Sequence, residues 1–103
     1  MPTLNILHRA EFPGDSYVSV LVLIEASPGE AVPQHTHPGL EMTYILAGEA
    51  TFSVQGRPDQ ALKAGDWFQV PADTPHSIQI GDTPARALGH YVVEKDKPLT
   101  TWL

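Results

Sequence analysis

Hydrophobic and polar residues alternate along short segments of this chain, and turn-forming residues separate the segments. The segment at 17–27, YVSVLVLIEAS, is the clearest, because Val18, Val20 and Val22 fall on one face of an extended strand and Leu21 on the other. A strand that is apolar on both faces needs cover on both sides. The same pattern predicts six further strands at 42–46, 50–55, 60–64, 66–70, 76–80 and 85–94.

The turn residues between these segments indicate the fold class. Ten prolines and eight glycines recur along the chain, and the stretches between them are too short for ordinary helices. Gly56-Arg57-Pro58-Asp59 and Gly81-Asp82-Thr83-Pro84 are two of the predicted turns. Many short strands joined by regular turns are typical of an all-β sandwich or barrel. No linker or change of composition divides the chain, so we expect residues 1–103 to form a single domain.

Length and charge restrict the partners. A chain of 103 residues buries a modest core, so we expect a homodimer. Twelve acidic residues against six basic ones give a net charge of −6, which repels nucleic acid. No apolar run approaches the roughly 18 residues of a membrane span, and the first residues lack the pattern of a signal peptide. We therefore expect a cytoplasmic protein that binds a small molecule and contacts neither nucleic acid nor membrane.

Candidate metal ligands are concentrated at 35–41, in the stretch HTHPGLE. His35 and His37 stand two residues apart, so both imidazoles leave the same face of an extended chain. Glu41 has the same parity, provided that the intervening proline and glycine preserve the phase. His76, which follows the turn PADTP, supplies a fourth candidate from another strand. Because the chain has no cysteine, any metal must be held by nitrogen and oxygen donors such as these.

The run GEAVPQHTHPGLEMTYILAG resembles the first cupin motif throughout. Gly29, His35, His37, Glu41 and Gly48 all occur at the spacings of that motif.

The second cupin motif is matched by Gly65, Pro71 and His76 at the expected spacings. Two positions depart from it: Asp73 replaces an inner glycine and Ile80 replaces the final asparagine. Aspartate tolerates left-handed turn geometry, so the first change has little effect on the resemblance. The second change removes a polar group and makes the predicted pocket more apolar.

The resemblance implies an all-β jelly-roll (double-stranded β-helix) barrel of the cupin type. It also implies one divalent transition metal ion, either Fe, Mn, Ni, Zn, Co or Cu, with the ligands His35, His37, Glu41 and His76. The implied function is a metal-dependent enzyme acting on a small organic anion, with a dioxygenase among the candidate activities. A non-catalytic module that binds a small ligand through the metal is the alternative. No catalytic residue beyond the ligands is identified.

The alternation of side chains along each strand assigns the remaining candidate residues to the inside or the outside of the barrel. We expect the cavity wall to include Thr43, Ile45, Phe52, Val54, Gln69 and Ile78. Met42 and Tyr44 have the opposite parity and should face outward, into a sheet-sheet or dimer contact. For His90 we weigh two positions. We favour a hydrogen-bonded position in the core or at a sheet edge over one inside the barrel, near the ligands or the substrate. The apolar pair Trp102-Leu103 at the end of the chain is expected to dock on a neighbouring element.

Overall fold

The computed structural model describes residues 2–11 and 16–103, which form ten β-strands and no helix. The strands are β1 Thr3–Glu11, β2 Tyr17–Ala26, β3 Ala31–Thr36, β4 Gly39–Ala47, β5 Glu49–Val54, β6 Gln60–Lys63, β7 Trp67–Val70, β8 His76–Ile80, β9 Ala85–Glu94 and β10 Thr101–Trp102. Since the described residues contain no helix, none of them forms a helix that could cross a membrane.

The strands build two five-stranded antiparallel sheets that pack face to face. The first has the order β1-β2-β9-β4-β7 and the second the order β10-β3-β8-β5-β6. This is the predicted all-β jelly-roll barrel, and each of the seven strands predicted from the sequence is present. Three strands were missed: β1 lacks a clear alternation, β3 contains Pro33, and β10 has only two residues.

The core consists of two apolar clusters between the sheets. Val18, Val20 and Val22 are buried in one of them, as their shared parity predicted, together with Tyr91 and Val93. The other is centred on Phe52 and Phe68, whose stacked rings have their centres 3.9 Å apart. Its buried members are Ile45, Phe52, Val54, Leu62, Phe68, Val70 and Ala87. Tyr91 contacts His37 and Phe52 lies near His76, so the predicted ligands lie between the clusters.

Two backbone features place these histidines and Glu41. Gly39 begins β4 opposite Val93, and a Cβ at this position would lie 2.0 Å from the carbonyl oxygen of Val92. Glycine therefore lets β4 approach β9 closely enough to turn Glu41 inward. Asp73 adopts a φ of 55°, the left-handed geometry expected for the residue replacing the motif glycine. The N–H of Asp73 donates a hydrogen bond to the carbonyl of His37 at 2.9 Å. This bond connects the turn before β8 to the loop that contains His37.

We predict that Gly39→Ala destabilises the fold by about 3 kcal/mol or more, because backbone atoms of β9 would have to move. Thermal and urea unfolding measure the loss. Gly81→Ala is the matched control, since the nearest atom to its added Cβ lies 3.3 Å away and its φ is not in the left-handed region. Equal stability of the two variants would contradict the close approach of β4 to β9.

Candidate metal centre

The four side chains predicted to bind a metal converge at one buried point. His35 is the last residue but one of β3, and His37 directly follows that strand. Glu41 comes from β4, and His76 begins β8. The ligand atoms of the three histidines lie within 4.8 Å of one another. Glu41 Oε1 is 3.1 Å from His37 Nε2 and 3.2 Å from His76 Nε2. All four residues are at most 5% exposed. The structure thus brings the predicted residues together, while their binding of a metal stays a prediction.

Each imidazole is held by a backbone carbonyl. The Nδ1–H groups donate from His35 to Pro33 at 2.7 Å, from His37 to Leu99 at 2.8 Å and from His76 to Thr74 at 2.9 Å. A carbonyl oxygen only accepts hydrogen bonds, so the proton of each neutral ring resides on Nδ1. The Nε2 lone pairs are consequently free and directed into the site, as is usual for histidines that bind metals.

The Nε2 atoms of His37 and His76 and Oε1 of Glu41 are buried and make no hydrogen bond. Two lone-pair nitrogens therefore face a carboxylate oxygen at 3.1–3.2 Å. Three acceptors this close together repel one another, and leaving them unsatisfied in a buried position costs free energy. A cation bound by these atoms removes both costs. The donor set therefore fits a divalent metal ion.

The second oxygen of Glu41 is held in place. Thr43 donates its hydroxyl to Oε2 at 2.7 Å, and the Tyr91 hydroxyl donates to the same atom at 3.4 Å. The carboxylate therefore has one oxygen restrained by the protein and one directed at the histidines.

The local environment sets the charge of each group. Burial lowers the pKa of His35 to about 4, so this ring is neutral at neutral pH. Burial alone would raise the pKa of Glu41. With no ion bound, hydrogen bonds from protonated His37 and His76, the charge of His37 and the hydrogen bond from the Thr43 hydroxyl lower this pKa to about 2. The carboxylate is therefore ionised. Burial, followed by the charge of Glu41, raises the pKa of Tyr91 well above its usual value, so its hydroxyl remains a donor. Neutral imidazoles and one carboxylate suit divalent transition metals.

Five of the six predicted wall residues lie inside the barrel. Thr43, Ile45, Phe52 and Ile78 line a cavity of about 50 Å³, and Val54 is buried in the adjacent core cluster. The prediction for Gln69 was wrong. Gln69 is exposed and pairs with Met42 on the outer face, because the neighbouring residues of β7, Phe68 and Val70, are the ones that point inward.

The outer face of the first sheet also contains His90, opposite Met42 in β4. His90 Nε2 is 2.7 Å from the Ser19 hydroxyl, which confirms the hydrogen-bonded position and excludes a place inside the barrel. Met42 and Tyr44 are exposed on the same face, as their parity predicted.

Sequence reasoning missed the part played by the end of the chain. The carbonyl of Leu99 accepts the hydrogen bond from His37, and the Trp102 ring lies 5.2 Å from the ring of His35. Trp102 docks as predicted, because β10 pairs with β3, although half of its side chain stays exposed. A backbone carbonyl and a two-residue strand leave no signal in the sequence by which this contact could be found.

Known proteins resemble this chain in both sequence and fold. It is 39% identical over 77 residues to the dimethylsulfoniopropionate lyase DddQ of Ruegeria pomeroyi, an alignment covering 75% of this chain and 37% of the lyase. The crystal structure of that lyase superposes with a TM-score of 0.79 at 28% identity, over 98% of this chain and 51% of the lyase chain. The chain therefore spans about half or less of the length of this relative.

A second solved structure, a predicted oxalate decarboxylase from Thermotoga maritima, is 32% identical with a TM-score of 0.64. That alignment covers 74% of this chain and 66% of the decarboxylase. The family model of the cupin domain matches residues 22–93, more than half of the chain and the whole of the candidate metal centre. This chain belongs to the cupin domain family.

Proposed function

We propose that this cupin is a metal-dependent enzyme that acts on a small organic anion. One divalent transition metal ion would be held by His35, His37, Glu41 and His76. The observation supporting this is the buried convergence of Nε2 lone pairs on a carboxylate oxygen with no hydrogen-bond partner. When bound, the ion supplies Lewis acidity, which stabilises negative charge on a coordinated anion.

The surrounding residues of the chain prepare the site for such an anion. Three neutral imidazoles and one carboxylate around a divalent ion leave a net charge near +1, which favours a single anionic group. Thr43 and Tyr91 restrain one oxygen of Glu41 and so orient the other. Apolar core on both sides excludes water, and electrostatic interactions in such surroundings are stronger than in water.

None of the four proposed ligands lines the cavity between the sheets, so the cavity does not by itself define the substrate. Thr43 is the only buried polar residue among its described lining residues, and the Thr43 hydroxyl already donates to Glu41. The relative named for dimethylsulfoniopropionate acts on a compound with one carboxylate. We propose a small monocarboxylate as the substrate class, with a lyase-type or a dioxygenase reaction.

The alternative, a non-catalytic module that binds a small ligand through the metal, is supported by a different observation. The hydroxyl groups of Thr43 and Tyr91 are both engaged with Glu41, and that of Thr100 lies 3.5 Å from His37 Nδ1. No further acid or base is therefore free beside the ligands in the described part of the chain.

The cytoplasmic location expected from the sequence stays a prediction.

Metal binding is the first test of the proposed function. After reconstitution with Co²⁺ or Zn²⁺ and removal of excess ion, we expect one ion per chain by elemental analysis. His76→Ala removes the ligand contributed by β8. This change should weaken metal binding by more than the roughly 10–100-fold that is typical when a ligand loses its outer hydrogen-bond partner. His90→Ala is the matched control, because His90 lies on the outer face. Unchanged stoichiometry and affinity in His76→Ala would exclude the four-ligand site.

The second test distinguishes the reactions. Metal-loaded protein is incubated with dimethylsulfoniopropionate, with short monocarboxylates and with oxalate, while oxygen uptake and volatile thioether are followed. We expect turnover of a monocarboxylate, as the name of the relative suggests. Turnover of oxalate alone would contradict this substrate class. Thioether release without oxygen uptake indicates elimination, and oxygen uptake indicates a dioxygenase. Metal-dependent ligand binding with no turnover of any compound would favour the non-catalytic module.

We also propose that the chain forms a homodimer through the outer face of the first sheet. Large apolar side chains are exposed there, and those of Met42, Tyr44 and Trp67 line one groove together with Leu21 and Leu88. A soluble monomer rarely exposes so extended an apolar patch. A second copy of this chain could cover it.

Trp67→Asp should convert the dimer to a monomer, because a charge within an apolar contact is costly to bury. Analytical ultracentrifugation measures the mass. Ile6→Lys serves as the control, since Ile6 is an equally exposed apolar residue on β1. A dimer that resists Trp67→Asp but is broken by Ile6→Lys would move the interface to β1.

A further inference from the structure

The segment Leu99–Leu103, which we call the C-terminal segment, contacts two of the four proposed ligands. The Leu99 carbonyl accepts the Nδ1 hydrogen bond of His37 at 2.8 Å, and the Thr100 hydroxyl oxygen is 3.5 Å from the same nitrogen. Without these two groups of the segment, no other hydrogen-bond partner in the described structure would fix the proton of His37 on Nδ1. The segment thus determines which nitrogen of His37 faces the site.

Trp102 covers the second ligand. In the sheet it pairs with His35, which in turn pairs with His76, so the three side chains lie on the same face. The indole and the His35 imidazole are 5.2 Å apart between ring centres. Trp102 is half exposed whereas His35 is only 5% exposed. The indole therefore lies between His35 and solvent.

The C-terminal segment is anchored at its start by Leu99, which packs against the core cluster of Val18, Val20, Val22, Tyr91 and Val93, and is more weakly held beyond that residue. Its strand, β10, has two residues and pairs only with β3, at the edge of the sheet, whereas the other described strands have at least four. A single further backbone hydrogen bond, from the Leu103 N–H to Gln34 at 3.0 Å, extends this pairing. Elements with so few contacts open locally at low free energy. Since the proposed ligands are almost fully buried, an ion or substrate can reach them only if some wall opens.

We propose that the C-terminal segment positions His37 and His35 for metal binding and acts as the gate through which the site exchanges its contents. This proposal rests on the proposed metal-binding function. It adds residues that lie outside the range 22–93 matched by the family model. When docked, the segment fixes the tautomer of His37 and shields His35. When detached, it exposes His35 and releases the His37 imidazole.

A reversible cross-link tests the gate. Thr36 and Thr101 are antiparallel partners, and their side chains lie on the face opposite His35 and Trp102. Antiparallel partners have Cα atoms about 4.5–5.5 Å apart, which a disulfide can span. Because the chain has no cysteine, the double variant Thr36→Cys, Thr101→Cys can form only this bond within the chain. We expect oxidation to slow the release of bound Co²⁺ to a chelator roughly tenfold or more, and reduction to restore the wild-type rate.

The matched control is Thr51→Cys, Ala61→Cys, which joins an exposed pair on β5 and β6, away from the C-terminal segment. Oxidation of this control should leave the release rate unchanged. Equal release rates for the oxidised and reduced forms of the Thr36/Thr101 variant would overturn the gate.

Positioning is tested separately with Trp102→Ala and Trp102→Phe. We expect Trp102→Ala to weaken Co²⁺ binding and to alter the visible spectrum of the bound ion, and we expect the aromatic Trp102→Phe to restore both. An unchanged spectrum and affinity in Trp102→Ala would overturn the positioning role of Trp102. Absence of metal binding by the unmodified protein would instead refute the proposed function, so the two failures are distinguishable.

Discussion

The candidate metal centre depends on one arrangement, the approach of imidazole nitrogens to a single carboxylate oxygen in a buried position. His37 and His76 face Glu41 at 3.1 and 3.2 Å, and none of the three facing atoms has a hydrogen-bond partner. Such an arrangement is unfavourable on its own account. It persists because strands from both sheets and three backbone carbonyls hold the side chains in place. The two apolar clusters flank these side chains and bury them.

The parts of the site that follow from strand geometry were predictable. His35 and His37 share a face because side chains repeat every second residue, and the same rule correctly buried Val18, Val20 and Val22. The inward direction of Glu41 depended on the turn between it and His37, and Gly39 allows that turn to preserve the phase. The cupin motif spacings supplied the connection to His76, which no local rule could have given.

The errors occurred where the alternation was ambiguous. In β7 the adjacent aromatic residues Trp67 and Phe68 give no clear inward face, so Gln69 was assigned to the wrong side. The partners of the imidazoles were unpredictable for another reason, since every residue carries a carbonyl and none is marked as an acceptor. Leu99 lies 62 residues from His37 in the chain. Only the folded sheet brings them together. The single domain over 1–103 stays a prediction.

The hydrogen bond from the Asp73 N–H to the His37 carbonyl would affect metal choice at the proposed site. It couples the turn before His76 to the loop that contains His37, so these two donors keep their separation while the ion is absent. Association then incurs little loss of conformational entropy on the part of these loops. A frame of this kind discriminates between cations by ionic radius and preferred coordination geometry, since it cannot reshape itself around each of them.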